Sequence, residues 1–183
     1  MKIKTKILEK RLKKSLKRNH ISLGLDTASR TGWCTIKTGS VSTEIEYGFI
    51  DVKSKSMYFK FDQMIEIFGQ MLRLMQQPNY EKIVIIEDVF FGRNVHTTKL
   101  LARIGMIVYV LCKLSDLPKM FLLATQARCK IGIKANLKKV FVHERLEKML
   151  KLGITDEDAV DAVILALAGL IKEDTLWEEK RKL

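Results

Sequence analysis

The chain has 183 residues, 47% of them hydrophobic, with 33 Lys and Arg against 21 Asp and Glu for a formal charge of +12. That is the length and composition of one domain with a full-sized core, which excludes a disordered tail protein, and so basic a domain is expected to meet a polyanion, either nucleic acid or an anionic membrane surface. Cys34, Cys112 and Cys129 form no C-x-x-C pair and the 3 histidines add no zinc-site spacing, so a disulfide scaffold and a zinc module are excluded, while the odd thiol count suits a reducing, cytoplasmic compartment.

Residues 1–19 read as a basic N-terminal extension to a domain spanning 20–183. Lys2, Lys4, Lys6, Lys10, Arg11, Lys13, Lys14, Lys17 and Arg18 face a single acid, Glu9. Leu8, Leu12 and Leu16 recur at four-residue spacing, the mark of an amphipathic helix. This segment is either a DNA-seeking arm or a solvated tail, and it lacks the continuous apolar core of a secretory signal.

From residue 21 the pattern alternates: Ile21, Leu23 and Leu25 on one face, Ser22, Gly24 and Asp26 on the other. This period of two predicts a half-buried strand ending on a carboxylate. Residues 33–36 and 41–52 read as two further strands joined by a short polar gap holding Gly39, which makes an antiparallel meander. Residues 58–75 carry Phe61, Met64, Ile65, Phe68, Leu72 and Met75 at helical spacing and stop before Pro78. The run Ile83-Val84-Ile85-Ile86 predicts a strand buried on both faces, and it too ends on acids, Glu87 and Asp88.

A second helix is expected over 96–115, its apolar face serving either the core or a partner subunit. A strand follows at 120–124. The stretch 126–139 is polar and basic, with Arg128, Lys130, Lys134, Lys138 and Lys139, and merges into a helix stopped at Gly153. The last helix starts at Thr155, with Asp158 placed to complete a capping box, and is apolar on nearly all sides. Neither apolar run, 104–114 or 162–171, is long enough to span a bilayer, so no membrane partner is expected.

The order β-β-β-α-β-α-β-α-α predicts an α/β domain built on a five-stranded mixed sheet flanked by helices. Were the first and fourth strands parallel neighbours, Asp26 and Glu87 would lie side by side at the carboxyl edge, where open α/β sheets bind ligands. Asp158 and Asp161 are three residues apart and share a helix face. Asp161 lies among Ala159, Val160, Ala162 and Val163, and a carboxylate buried there needs a partner or a metal. Two carboxylates about 4 Å apart repel by roughly 4 kcal/mol at an effective dielectric near 20, so converging acids call for cations. Oxygen donors without His or Cys select Mg²⁺, with Mn²⁺ as a substitute. Two such ions suit phosphodiester hydrolysis.

At this point the chain resembles the RuvC-like Holliday junction resolvases of the RNase H-like superfamily. The matching pieces are Leu23-Gly24-Leu25-Asp26 with Gly32-Trp33, Ile85-Ile86-Glu87-Asp88-Val89-Phe90, and Asp158-Ala159-Val160-Asp161-Ala162, in the family's order. The resemblance implies an RNase H-like fold and a Mg²⁺-dependent endonuclease acting on four-way or otherwise branched DNA. It implies that Asp26, Glu87, Asp158 and Asp161 are catalytic metal ligands for two ions, and that Phe90 stacks on opened bases. Lys138 and Arg128 resemble the family's basic residues near the scissile phosphate, with Lys130, Lys134 or Lys139 able to take their places. A homodimer in a bacterial cytoplasm is implied, and the long leader and extra acid Asp88 look like a phage-type member. Two other readings stand beside this one. The first-strand loop also resembles the phosphate loop of actin-like ATPases, which need a second domain that 183 residues cannot hold. A non-enzymatic basic DNA- or RNA-binding protein accounts for the charge, but not for acids at two strand ends.

Overall fold

The leader is folded. A computed structural model, which describes residues 1–28, 30–53, 56–89 and 95–172, begins with a short strand, β1 (Lys2–Lys4), and a helix, α1 (Thr5–Leu12). Leu8, Leu12 and Leu16 are buried in the core, at about 1.5–3 kcal/mol of hydrophobic stabilisation each. Lys17 N–H donates to the carbonyl of Leu170, tying the leader to the far end of the chain.

The meander follows as β2 (His20–Asp26), β3 (Arg30–Thr38) and β4 (Ser42–Asp51), then α2 (Met57–Met75), β5 (Glu81–Glu87), α3 (Val95–Leu114) and β6 (Lys119–Leu122). The chain closes with α4 (Ala124–Lys130), α5 (Lys139–Leu150) and α6 (Glu157–Leu170). The sheet is mixed and ordered β1-β4-β3-β2-β5-β6. It has six strands where the periodicity predicts five, because three residues of the leader pair with β4 through Lys2↔Glu44 and Lys4↔Ser42. Three residues are too few to show a period, and lysines at both ends suit an exposed edge. Similarly, α4 falls in the stretch read as merely polar, since seven residues give too short an apolar pattern for recognition.

The sheet separates two cores. On one side α1, α5 and α6 pack through Leu8, Ile36, Ile45, Val142, Leu146 and the length of α6. On the other, α2 and α3 cover it through Phe68, Leu72, Ile86, Ile104 and Val108. At 20 residues α3 is long and apolar enough to cross a membrane by length and composition, longer than the apolar run alone indicates. Here one face of it packs on the sheet through Ile104, Gly105, Val108 and Cys112.

Candidate active site

The central strands run parallel, with Leu25 of β2 opposite Ile86 of β5, so the next residues, Asp26 and Glu87, meet at one sheet edge. The turn after β2 is closed locally. Ala28 N–H donates to the Asp26 carbonyl and Thr31 Oγ1 donates to the Ala28 carbonyl. This leaves the Asp26 side chain free to face Glu87. The two carboxyls share a hydrogen bond. Burial pushes Glu87 up to about 9, helped by the Asp26 carboxylate and by Asp161. Burial also raises Asp26, although the proton donated by Glu87 opposes the rise. At neutral pH Glu87 keeps its proton beside Asp26, as carboxyls forced together in a desolvated site do.

The other two acids arrive on α6. This helix is buried from Ala159 to Leu170 and lies directly on the backbone of β2 and β3. Two glycines permit that approach. A Cβ on Gly24 would overlap the Ala162 carbonyl oxygen and the Ala166 nitrogen, and one on Gly32 would overlap the Asp158 carbonyl. The helix starts one residue later than the sequence suggests. Asp156, not Thr155, is the N-cap, and its carboxylate accepts from the Asp158 and Ala159 amides at 3.0 and 3.2 Å. Docked this way, α6 brings Asp158 and Asp161 close enough for both carboxylates to act on Asp26. Asp161 is 9% exposed.

Cations from three elements hold this charge. Arg128 of α4 donates to Asp161 Oδ1 at 3.3 Å, and Lys139, at the start of α5, reaches Asp161 Oδ2 at 3.3 Å. Burial pulls the Lys139 ammonium down, but Asp161, Asp26 and Glu157 outweigh it and its pKa rises. Arg30 donates to Asp158 Oδ2 at 2.6 Å and also to Asp156. Among the basic residues named from sequence, the described ion pairs to Asp161 come from Arg128 and Lys139 rather than from Lys138. Lys138 is the exposed N-cap of α5, Lys134 is exposed on the preceding loop, and Lys130 is half-buried at the end of α4. Phe90 lies outside the described residues. Asp88 is exposed and its Oδ1 accepts from the Val89 amide. Sequence reasoning gave Arg30 no role. Its only signal is a cation four residues after Asp26, in the turn leading into β3.

Among the described residues, no three Asp, Glu, His or Cys side chains already stand as a ligand cage. Asp158 and Asp161 are instead turned toward arginine and lysine. The donors nonetheless fit a hard divalent ion: all are carboxylate oxygens, two of them so close that they keep a proton at neutral pH. Four carboxylates and a trapped proton form a site whose electrostatics improve when a cation replaces the proton.

The family model for the crossover junction endodeoxyribonuclease RuvC matches residues 22–169. No curated protein sequence matches. In fold, the chain is similar to the Thermus thermophilus RuvC structure, with a TM-score of 0.66 at 14% identity over 81% of this chain and 92% of that one. It is similar to T. thermophilus RuvC in complex with Holliday junction substrate at 0.65 and 14%, over 81% and 91%. The match covers β2 from Ser22 onward, all of β5 and all of the helix that carries Asp158 and Asp161 except its last residue, and the chain belongs to the RuvC family of crossover junction endodeoxyribonucleases.

Proposed function

We propose that the protein resolves Holliday junctions, or closely related branched DNA, by divalent-cation-dependent hydrolysis at the Asp26, Glu87, Asp158 and Asp161 cluster. The carrying observation is the convergence of Asp26 and Glu87, hydrogen-bonded to each other at the ends of two parallel neighbouring strands, with Asp161 of α6 close enough to act on both. Two Mg²⁺ ions held there would supply an activated water and charge stabilisation of the leaving oxygen. Mn²⁺ would serve in their place.

The remaining work belongs to the chain. Asp26 and Glu87 give up their common proton on loading, so affinity for the ion rises with pH until the pair is ionised. Asp161, which Arg128 and Lys139 contact here, would help to hold the ion, and both cations would then be available to the phosphate. Lys139 is the better placed of the two, with a side chain 43% exposed against 13% for Arg128. Its position at the first turn of α5 adds free backbone N–H groups that suit an anion. The exposed Lys134 and Lys138 follow the DNA backbone beyond the scissile phosphate, and Lys130 borders them. Phe90, by its position after Glu87, stacks on a base opened at the crossover. Cutting two opposed strands of a four-way junction requires two such sites, and the protein acts as a homodimer.

Incubation with a synthetic four-way junction, with and without Mg²⁺, tests this on a strand-resolved gel. Paired nicks in opposed strands only with Mg²⁺ are expected. Asp26→Asn and Asp161→Asn are expected to bind the junction without cutting it, and normal nicking by either would overturn the assignment.

A further inference from the structure

Arg30 is held at three points. One guanidinium nitrogen donates to Asp158 Oδ2 at 2.6 Å, a second donates to Asp156 Oδ2, and the plane lies 3.6 Å from the centroid of the Phe49 ring. Asp156 is itself fixed, since its other oxygen caps α6. Two residues further along β3, Gly32 lets the backbone of Asp158 sit against the strand. The fork therefore ties the first turn of α6 to β3 at the residue that presents a carboxylate to the site. Among the described residues Asp158 accepts only through Oδ2. A planar guanidinium suits this task, because it binds two carboxylates in fixed directions where an ammonium has one flexible point charge.

We infer that Arg30 is a positioning residue for the cation site: it fixes Asp158 through Oδ2 and leaves Oδ1 available to an ion. This rests on the metal-dependent reading above. The described contacts of Arg30 are with Asp158, Asp156 and Phe49, and it acts through the carboxylate it orients. Outer partners of this kind typically change metal affinity by about 10–100-fold.

The test compares wild type with Arg30→Gln and Arg30→Lys by calorimetric titration with Mn²⁺ alone, with Asp161→Asn as the control for occupancy of this site. The Mg²⁺ dependence of junction cleavage is a second readout. Both Arg30 variants are expected to bind Mn²⁺ at least about tenfold more weakly. The Mg²⁺ concentration for half-maximal cleavage should rise in parallel, with most of the rate recovered at saturating Mg²⁺. Arg30→Lys keeps the charge and loses the fork, so its failure to rescue separates orientation from simple electrostatics. Should Arg30→Gln not fold, Phe49→Leu removes the ring against the guanidinium and is expected to weaken Mn²⁺ binding by a smaller factor. Affinity equal to or tighter than wild type in the variant that folds would overturn the inference, and would mean that Arg30 merely competes with the ion. Absence of Mn²⁺ binding and of Mg²⁺-dependent cleavage in wild type would overturn the metal-dependent reading itself.

Discussion

Glu87 carries the largest electrostatic anomaly among the site's acids, and its consequences are measurable without DNA. Its ordinary value is 4.5 and in the fold it rises to about 9. Folding therefore binds a proton that the unfolded chain releases. This contribution is complete below about pH 4.5 and is lost as pH climbs toward 9. Metal-free protein is accordingly expected to melt at progressively lower temperature between these limits. Glu87→Gln, which cannot ionise, should melt above wild type at pH 8 and lose that advantage near pH 4.5. Saturating Mg²⁺ should reverse the order at pH 8, because it stabilises only the charged pair. Thermal melts across pH, with and without Mg²⁺, check all three. For Asp161→Asn, removing one ligand from the charge-stabilising site should cost about 4 kcal/mol of barrier, roughly 10³-fold in cleavage rate. The strand-ending acids were legible in the sequence because alternation and the β-branched run both stop on a carboxylate. Arg30 was not, because its partners lie 126 and 128 positions away and no local pattern records that pairing.

At the level of elements, the site depends on how closely α6 lies on the sheet. Gly24→Ala places a methyl against the backbone of α6 at Ala162 and Ala166, which cannot swing aside as a side chain would. A loss of about 3 kcal/mol or more is expected, lowering the melting temperature by about 5–10 °C. Cleavage should fall further than stability alone accounts for, since Asp158 and Asp161 ride on the displaced helix. A melt combined with a rate measured well below the transition separates the two effects. The long elements were readable because their periods repeat. Helix α6 was recognised as buried from its unbroken apolar surface, and all of it from Ala159 to Leu170 is buried. Short elements escaped. β1 spans three residues and α4 seven, and both depend on tertiary partners: β4 for the strand and α6 for the helix.

For the whole molecule, the surplus of positive charge and the buried acids serve different steps. Under the proposed function, the net charge of +12 draws in the DNA, while Asp26, Glu87, Asp158 and Asp161 would act on it once bound. Binding should therefore be strongly salt-dependent and largely indifferent to the acid substitutions. With six to ten phosphate contacts, junction affinity of Asp26→Asn should fall by about 10³–10⁵-fold between 50 and 200 mM salt. Gel-shift titrations at several salt concentrations give the slope, and a flat response would argue against a phosphate-tracking surface. The α/β class was readable from element order. The leader's incorporation was not, because its lysines read as a solvated run while Leu8, Leu12 and Leu16 were completing the core under α5 and α6.

The most direct measurement is the anomalous scattering of crystals soaked in Mn²⁺. Peaks are expected at coordination distance, about 2.0–2.2 Å, from carboxylate oxygens of Asp26, Glu87 and Asp161, with Asp158 Oδ1 turned to the same density. Crystals that diffract well and show Mn²⁺ elsewhere, or none between β2, β5 and α6, would contradict the assignment of this acid cluster as a cation-holding hydrolytic centre.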